Sequence, residues 1–428
     1  MKLLAVGDLH LGRRPSRLPA MLAERAAELG PAEAWRRLVA HAVEQRVDAV
    51  VLAGDLVERE DDFFEAYRDL REGVERLTGA GIRVLGVAGN HDVQVLPRLA
   101  AQLPDFELLG AGGHWQAVQL EGGGERLQLW GWSFPTKMVA KSPLAEQQFP
   151  AAEGLSLGLL HCDRDAQGSQ YAPVTTAELN AAGLDGWLLG HIHQPDPLNA
   201  ERLQGYLGCV TGMDPGEHGP RGPWLIEVER GRVARCQQWL VAPIQYERLD
   251  LDLTDLPGPD AAQDALLTAL PPLERELAAR LDPPDVVALR VRLVGQSQHG
   301  AAAATGFPQA LHDQLPVAGT ERHYFIERII DATEPVIPLT DLAGRADPVG
   351  LLAQRLLQLD APATDPERQN LLSRTRRHLE KQLQATHWQG ILREGQGKEH
   401  LDDVTVADYL RRAGRQALAG MLASEESG

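Results

Sequence analysis

Short segments rich in valine and leucine, each bounded by glycine or aspartate, recur through the first half of the chain. They are KLLAV (2–6), AVVLA (49–53), RVLGVA (83–88), LGLL (157–160) and GWLLG (186–190). Runs of this length and composition are typical of strands that are buried on both faces of a sheet. Helical patterns over 32–46 and 61–79 separate the first three segments. This β-α-β-α-β order predicts parallel strands joined by right-handed crossovers, and therefore an α/β fold.

Two other stretches alternate apolar and polar residues around a glycine-containing turn. They cover 114–132 and 223–241. Alternation of this kind predicts antiparallel hairpins. We therefore expect a mixed sheet system, with two sheets packed together and helices outside them.

The pattern of the sequence changes after residue 242. Strand-like segments at 244–253, 285–295 and 323–330, with a helical stretch at about 260–280, predict a small α+β domain. A proline-bearing, linker-like stretch follows at 334–347. Helical patterns then cover 348–359, 366–388 and 404–422. The expected domains are 1–242, 243–335 and 336–428.

Composition limits the classes of protein that the chain can belong to. The net charge of −18 is unusual for a protein that binds DNA through phosphate contacts alone, since such proteins are usually basic. The start, MKLLAVGDLH, turns polar too early for a signal peptide, and no apolar stretch approaches the ~18 residues of a membrane span. We therefore expect a cytoplasmic protein that does not bind membranes. The three cysteines lack C-x-x-C spacing, which argues against a disulfide framework and a cysteine zinc site.

Each predicted strand of the first domain ends in residues that can bind a metal ion. These residues are Asp8, His10, Asp55, Asn90, His161, His191 and His193. Because the carboxyl ends of strands in an open α/β sheet meet at one crevice, we expect their side chains to converge. Two cations about 3.5–4 Å apart need a bridging carboxylate. Mixed imidazole, carboxylate and amide ligands favour Mn²⁺, Fe²⁺ or Zn²⁺ over an all-oxygen Mg²⁺ site.

Residues beside these ligands have predicted supporting roles. A glycine precedes Asp8, Asp55, Asn90 and His191, and we expect it to permit the sharp turn off each strand. His91 lies one residue out of register with a ligand, so we expect it to face substrate. Asp92 is expected to orient His91 or Asn90.

The ordered set GDLH, GDL, GNHD, LLHCD and GHIH resembles the calcineurin-like metallophosphoesterase superfamily over residues 1 to about 242. The resemblance implies a β-sandwich flanked by helices, and in-line attack on phosphorus by a metal-bridging hydroxide. It implies that His91 protonates the leaving oxygen or stabilises charge on the phosphoryl group. The implied ligands of one metal are Asp8, His10, Asp55 and His193, and those of the other are Asp55, Asn90, His161 and His191.

Three features favour DNA as the substrate. Arg13, Arg14 and Arg17 follow His10 closely, and an arginine cluster suits a polyanionic backbone. The segment 206–229 resembles the one that closes the nuclease core in bacterial DNA repair exonucleases of the SbcD and YhaO type. An α+β domain and a helical tail follow, as in those nucleases.

Membership of that group would imply further properties. The α+β domain would cap the active site and contact DNA, and two Mn²⁺ ions would be bound, with Fe²⁺, Zn²⁺ and Mg²⁺ as alternatives. The C-terminal helices, around 374–384 and 406–422, would dock on a coiled-coil ATPase of the SbcC/YhaN type. Dimerisation through core helices is also a property of many members.

One position departs from the family pattern. Archaeal and eukaryotic nuclease subunits have a second histidine three residues after the bridging aspartate, where this chain has Glu58. A glutamate cannot serve as the same proton donor unless its pKa is raised, so the balance of exonuclease and endonuclease activity stays open.

Two alternative functions also stay open. One is a phosphodiesterase or phosphatase that acts on nucleotides or small phosphoesters. The other is a non-catalytic scaffold that regulates the ATPase. The apolar stripes of the C-terminal helices are equally consistent with packing inside the chain.

Overall fold

The structure is a computed structural model that describes residues 1–59, 63–151, 154–280, 282–383 and 401–426. The chain divides into two compact units. The first comprises Met1–Leu249, Leu267–Arg290 and Pro308–Arg328, and the second comprises Asp250–Leu266, Val291–Phe307 and Ile329–Gly428. The division into three domains that the sequence suggests stays a prediction.

Strands and helices alternate through most of the chain. The strands are β1 (Lys2–Val6), β2 (Ala49–Leu52), β3 (Arg83–Gly86), β4 (Phe106–Leu108), β5 (Gln116–Gly122), β6 (Glu125–Trp132), β7 (Leu155–His161), β8 (Gly186–Gly190), β9 (Gln204–Tyr206), β10 (Trp224–Glu229), β11 (Arg232–Gln238), β12 (Ile244–Asp252), β13 (Val286–Val294) and β14 (His323–Asp331). The helices are α1 (Ala20–Ala23), α2 (Pro31–Glu44), α3 (Phe63–Gly79), α4 (Leu96–Ala100), α5 (Thr176–Ala181), α6 (Ala261–Ala278), α7 (Gly300–Gly306), α8 (Gln309–Asp313), α9 (Leu339–Leu342), α10 (Pro348–Gln358), α11 (Pro366–Leu383) and α12 (Asp403–Glu426). A 3₁₀ helix covers Ala26–Leu29.

Two mixed sheets form the core of the first unit. The first has the order β11-β10-β1-β2-β3-β4, and the second has the order β5-β6-β7-β8-β9. Strands β1 to β4 are parallel, as are β6 to β9, while the hairpins β5-β6 and β10-β11 are antiparallel. The expected α/β fold with two sheets and two hairpins is confirmed.

Alternation along β1 shows why the two sheets pack together. Leu3 and Ala5 belong to an apolar cluster shared with the second sheet, whereas Leu4 and Val6 pack in the cluster that includes α2 and α3. Successive side chains of a strand point to opposite faces, so a strand that is apolar throughout is buried on both. The first sheet is therefore covered by the second sheet on one face and by helices on the other.

The carboxyl ends of four strands from both sheets lie close together. The amide of Ala53 donates to the carbonyl of Val6, and Nδ1 of His161 lies 3.0 Å from the carbonyl oxygen of Ala53. The amide of His191 donates to Oδ1 of Asp8 at 2.8 Å. The loops after β1, β2, β7 and β8 are thereby tied to one another.

A third sheet, of order β12-β13-β14, follows the two core sheets, and with α6 it confirms the predicted β-α-β-β pattern. Within the first unit, Ile244, Val286 and Phe325 pack with Leu22 and Leu29. The strands begin where the sequence predicts them, within one residue.

The C-terminal helices pack on one another within the second unit. One apolar cluster includes residues of α10, α11 and α12, so their apolar stripes are at least partly used inside the chain. Ile337 is buried in this cluster and α9 follows it, which shows that 334–347 is not a free linker. Of the predicted helices, residues 61–62 and 384–388 lie outside the described residues.

Within the described ranges, every helix is too short or too polar to cross a membrane.

The contact between α2 and α3 depends on the absence of a side chain at Gly73. An added Cβ there would overlap the indole of Trp35, whose Nε1 donates to the carbonyl of Asp69 at 2.9 Å. We expect Gly73→Ala to destabilise the fold by about 1–3 kcal/mol, as overpacking usually does. Gly79→Ala, on the same helix, meets no atom within 4 Å and is the matched control. Chemical denaturation measures both, and equal stability of the two variants would contradict the packing.

Candidate metal centre

Among the described residues, four clusters of potential ligands lie where the strand ends meet, and two of these clusters consist only of residues that the sequence marks as ligands. The first consists of Asp8, His10 and His193, and the second of Asp55, His161 and His191. In each cluster the ligand atoms lie within 4.8 Å of one another. All seven residues that the sequence marks as ligands are therefore near these clusters, since Oδ1 of Asn90 lies 3.0 Å from Nε2 of His161.

Asp55 lies between the two clusters. Its Oδ2 is 3.2 Å from Nε2 of His161 and 4.0 Å from Nε2 of His10. Nε2 of His10 is in turn 3.0 Å from Nε2 of His193. A carboxylate in this position is suited to bridge two cations.

The burial of these groups fits a bound cation. Asp8, Asp55, His10 and His161 are each at most 2% exposed. Oδ2 of Asp8 is buried and has no hydrogen-bond partner among the described residues. A buried, unpaired carboxylate oxygen is unfavourable unless a positive charge compensates it.

The negative charges of the buried carboxylates also act on His161. Burial lowers its pKa, but the charges of Asp55 and then Asp8 outweigh burial and raise the pKa to about 9. The carboxylates therefore favour a positive charge at this place. The residues present fit divalent cations.

The backbone at three candidate ligands is in the left-handed region. The φ angles are 51° at His10, 51° at Asp55 and 103° at His191. Non-glycine residues with positive φ are uncommon and often occur at functional sites. The sharp turns therefore fall largely on the ligands themselves.

Of the glycines that precede ligands, only Gly54 has a positive φ, of 91°. The expectation that each of these glycines supplies a turn is therefore wrong in part. A Cβ at Gly89 would overlap Oδ1 of Asp55, and one at Gly190 would overlap the carbonyl oxygen of Ala53. These glycines are needed because two loops approach each other closely.

Hydrogen bonds fix the proton positions on two rings. Nδ1 of His161 faces the carbonyl of Ala53, which can only accept, so Nδ1 carries a proton and Nε2 faces Asp55. Nδ1 of His193 lies 2.5 Å from Oε1 of Glu217. Partners of this kind orient metal-binding histidines.

Sequence reasoning missed Glu217. The residue lies in the segment 206–229, but no local pattern separates it from other surface glutamates. Its Oε2 accepts from the amide of Met213 at 2.7 Å, so the carboxylate also holds the turn in which it lies.

Glu58 lies against His10. Its Oε2 is 2.8 Å from Nδ1 of His10, and this interaction holds the pKa of Glu58 down at about 2, against the effect of burial. The carboxylate is therefore ionised near neutral pH and has no proton to donate.

His91 is exposed, with its ring centroid 5.2 Å from that of His10. Its Nδ1 lies 3.1 Å from the backbone carbonyl oxygen of Glu58, and its amide donates to Oδ1 of Asp55 at 2.9 Å. Because a carbonyl can only accept, Nδ1 carries a proton, and Nε2 is the nitrogen left for another partner.

Asp92 is fully buried and ties two loops together. Its oxygens accept from the amides of Leu56, at 2.6 Å, and Gly89, at 2.8 Å. Burial and then the charge of Asp55 raise its pKa to about 7, against these two donors. Asp92 thus positions the loops after β2 and β3, and does not orient His91 or Asn90 directly as expected.

The arginines that follow His10 differ in position. Arg13 is half-buried and interacts electrostatically with Glu58 and Glu217, whereas Arg14 and Arg17 are exposed.

The cysteines of the chain are free, as expected.

Several known proteins are similar to this chain. Residues 1–195 match the family model described as calcineurin-like phosphoesterase. An uncharacterized metallophosphoesterase, YhaO of Bacillus subtilis, is 26% identical over 78% of this chain and 82% of that protein. The DNA double-strand break repair protein Mre11 of Aeropyrum pernix is 27% identical over 59% of this chain and 64% of that protein, so the match spans less than two thirds of it. Among solved structures, calcineurin-like phosphoesterase YfkN from Bacillus subtilis is 13% identical over 55% of this chain and 89% of that chain, with a TM-score of 0.35.

The close approach at Gly89 gives a test of the ligand arrangement. Gly89→Ala would place a methyl group against Asp55 and displace the carboxylate that lies between the two clusters. We expect this variant to lose metal, measured by mass spectrometry after Mn²⁺ loading and dialysis, while Gly79→Ala retains it. Undiminished metal content in Gly89→Ala would show that Asp55 is not a ligand.

Proposed function

We propose that this chain, whose residues 1–195 match the calcineurin-like phosphoesterase family model, is a dinuclear-metal phosphodiesterase that cleaves DNA. One observation carries the proposal. Ligand-type residues from five strand ends converge on two clusters that share one carboxylate, beside an exposed histidine.

The residues that would hold two cations follow from the clusters. One position would use Asp8, His10, Asp55 and His193, and the other Asp55, Asn90, His161 and His191. Two divalent cations at such a centre neutralise charge on the phosphodiester and activate water as a nucleophile. The mixed ligand set favours Mn²⁺, with Fe²⁺, Zn²⁺ and Mg²⁺ as alternatives.

We assign His91 as the catalytic residue that acts on the leaving oxygen. Its ring is exposed and its Nδ1 is tied to the carbonyl of Glu58, which leaves Nε2 to face a bound phosphodiester. A protonated Nε2 can donate to the leaving oxygen or stabilise charge on the phosphoryl group. Glu58 is ionised, so it does not share this role.

DNA as the substrate is supported by the relatives and by the arginines. Proteins named for DNA double-strand break repair are among the similar chains. Arg13, Arg14 and Arg17 follow the ligand His10, and arginines at such a place suit phosphate contacts. The exonuclease function and a role in DNA repair rest on these two observations.

A second candidate substrate class is the nucleotides and small phosphoesters. The net charge of −18 favours it, because a strongly acidic chain repels the DNA backbone. The convergence of a full ligand set argues against the third reading, a scaffold without catalysis. Hydrolysis of bis-p-nitrophenyl phosphate without cleavage of DNA would favour the small substrates.

The proposed protein partner is a coiled-coil ATPase of the SbcC/YhaN type. Leu351, Val404 and Tyr409 of the C-terminal helices are 60%, 66% and 40% exposed, and exposed apolar residues of this kind suit a protein interface. Such a partner would also offer the positive charge that this chain lacks. Dimerisation and a cytoplasmic location stay predictions.

His91→Ala tests the assigned catalytic role. We expect the variant to bind Mn²⁺ like the wild type but to cleave duplex DNA and bis-p-nitrophenyl phosphate about 10²–10⁴ times more slowly, as for loss of a general acid. Metal analysis and initial rates measure the two properties. His114→Ala, far along the chain from the ligand clusters, is the control histidine. Cleavage of both substrates by His91→Ala at the wild-type rate would contradict the role.

A further inference from the structure

The two histidines of the first cluster each have a carboxylate behind the ring. Nδ1 of His10 lies 2.8 Å from Oε2 of Glu58, and Nδ1 of His193 lies 2.5 Å from Oε1 of Glu217. The Nε2 atoms of the same two rings lie 3.0 Å from each other. Both rings therefore turn Nε2 towards one point and Nδ1 towards a glutamate.

The second cluster is supported differently. Nδ1 of His161 faces a neutral carbonyl, that of Ala53, at 3.0 Å. Nε2 of His191 is 3.5 Å from Oδ1 of Asp163, a longer separation than either pair in the first cluster. Close carboxylate support is thus a property of the first cluster.

Resting on the proposed function, we propose that Glu58 and Glu217 are positioning residues that fix the rings of His10 and His193 for the metal of the first cluster. A carboxylate behind a metal-binding imidazole sets the tautomer, holds the ring plane and makes the other nitrogen a stronger donor. Neither glutamate touches substrate in this role. The effect reaches the reaction only through the bound metal.

The chemistry of a carboxylate explains what Glu58 does that a histidine would not. A carboxylate 2.8 Å from Nδ1 of His10 favours a proton on that nitrogen and leaves Nε2 to bind metal, although the two atoms are paired by charge and are not aligned for a hydrogen bond. A histidine at this place could donate or accept, and would leave the tautomer of His10 open. The chain therefore has a ligand-positioning group at this place, and proton donation falls to His91.

Backbone contacts around the two glutamates make the proposal testable by substitution. The amide of Glu58 donates to the carbonyl of Leu11, and its own carbonyl faces His91, so removing the side chain leaves both contacts in place. Glu217 also accepts from the amide of Met213. Glutamine at 217 keeps that acceptor and is the safer change.

The backbone of His193 is held independently of Glu217. Arg221 is 1% exposed and donates to the backbone carbonyl of His193, to Oε1 of Gln194 and to the carbonyl of His218. The main chain at His193 therefore stays in place when Glu217 is changed. Only the rotation of the His193 ring and the position of its proton are then free to change.

The experiment is calorimetric titration of the metal-free full-length chain with Mn²⁺, without substrate. We expect the wild type to bind two equivalents. In Glu58→Ala and in Glu217→Gln, one equivalent should bind about 10–100 times more weakly, with the other unchanged. Glu58→Gln keeps an acceptor oxygen and should lose less than Glu58→Ala. Visible spectra of the Co²⁺-loaded proteins should change in the same order, because they report the ligand field.

Controls separate this effect from misfolding and from failure of the proposed function. Glu65→Ala, an exposed glutamate on α3, should bind both equivalents like the wild type, and thermal unfolding of each metal-free variant should match the wild type. Wild-type affinity for both equivalents in Glu58→Ala and Glu217→Gln, or equal weakening of both, would overturn the positioning role. A wild type that binds no metal would overturn the proposed centre itself. Two tight equivalents without DNA cleavage would overturn only the DNA substrate.

Discussion

The burial of two carboxylates, Asp8 and Asp55, at the meeting edges of two sheets is the constraint on which the rest of the site depends. A buried charge is costly unless hydrogen bonds and opposite charges surround it. Each carboxylate therefore gathers groups from other strand ends: Asp8 accepts from the amide of His191, and Asp55 accepts from the amide of His91. Of the oxygens that these amides do not use, Oδ2 of Asp55 faces His161 and His10, and Oδ2 of Asp8 is buried without a hydrogen-bond partner among the described residues.

The placement of the two carboxylates is accompanied by local backbone strain. Positive φ angles at His10, Asp55 and His191 each cost on the order of 1–3 kcal/mol, and such strain persists only where the surroundings fix it. The surroundings here are apolar clusters on both faces of the first sheet, together with Asp92, which ties two of the loops to each other. The same rigidity lets histidine rings be oriented by single carboxylates.

Much of the fold and the convergence of the ligand-type residues could be predicted from the sequence, because each of these residues lies at or just after the end of an apolar strand. The supporting groups could not, because they act between residues far apart in the chain. Glu217 lies 24 residues from His193, and the role of Gly89 depends on its distance from Asp55. The prolines likewise made 334–347 look like a linker, although Ile337 is buried among the C-terminal helices.

Our central proposal is that the two ligand clusters would together hold two cations, with Asp55 as a ligand of both. Electron paramagnetic resonance of the protein loaded with two equivalents of Mn²⁺ tests it most directly. Two Mn²⁺ ions about 3.5–4 Å apart would couple their spins, so we expect an exchange-coupled multiline spectrum. A spectrum of isolated, six-line Mn²⁺ at full loading would contradict it.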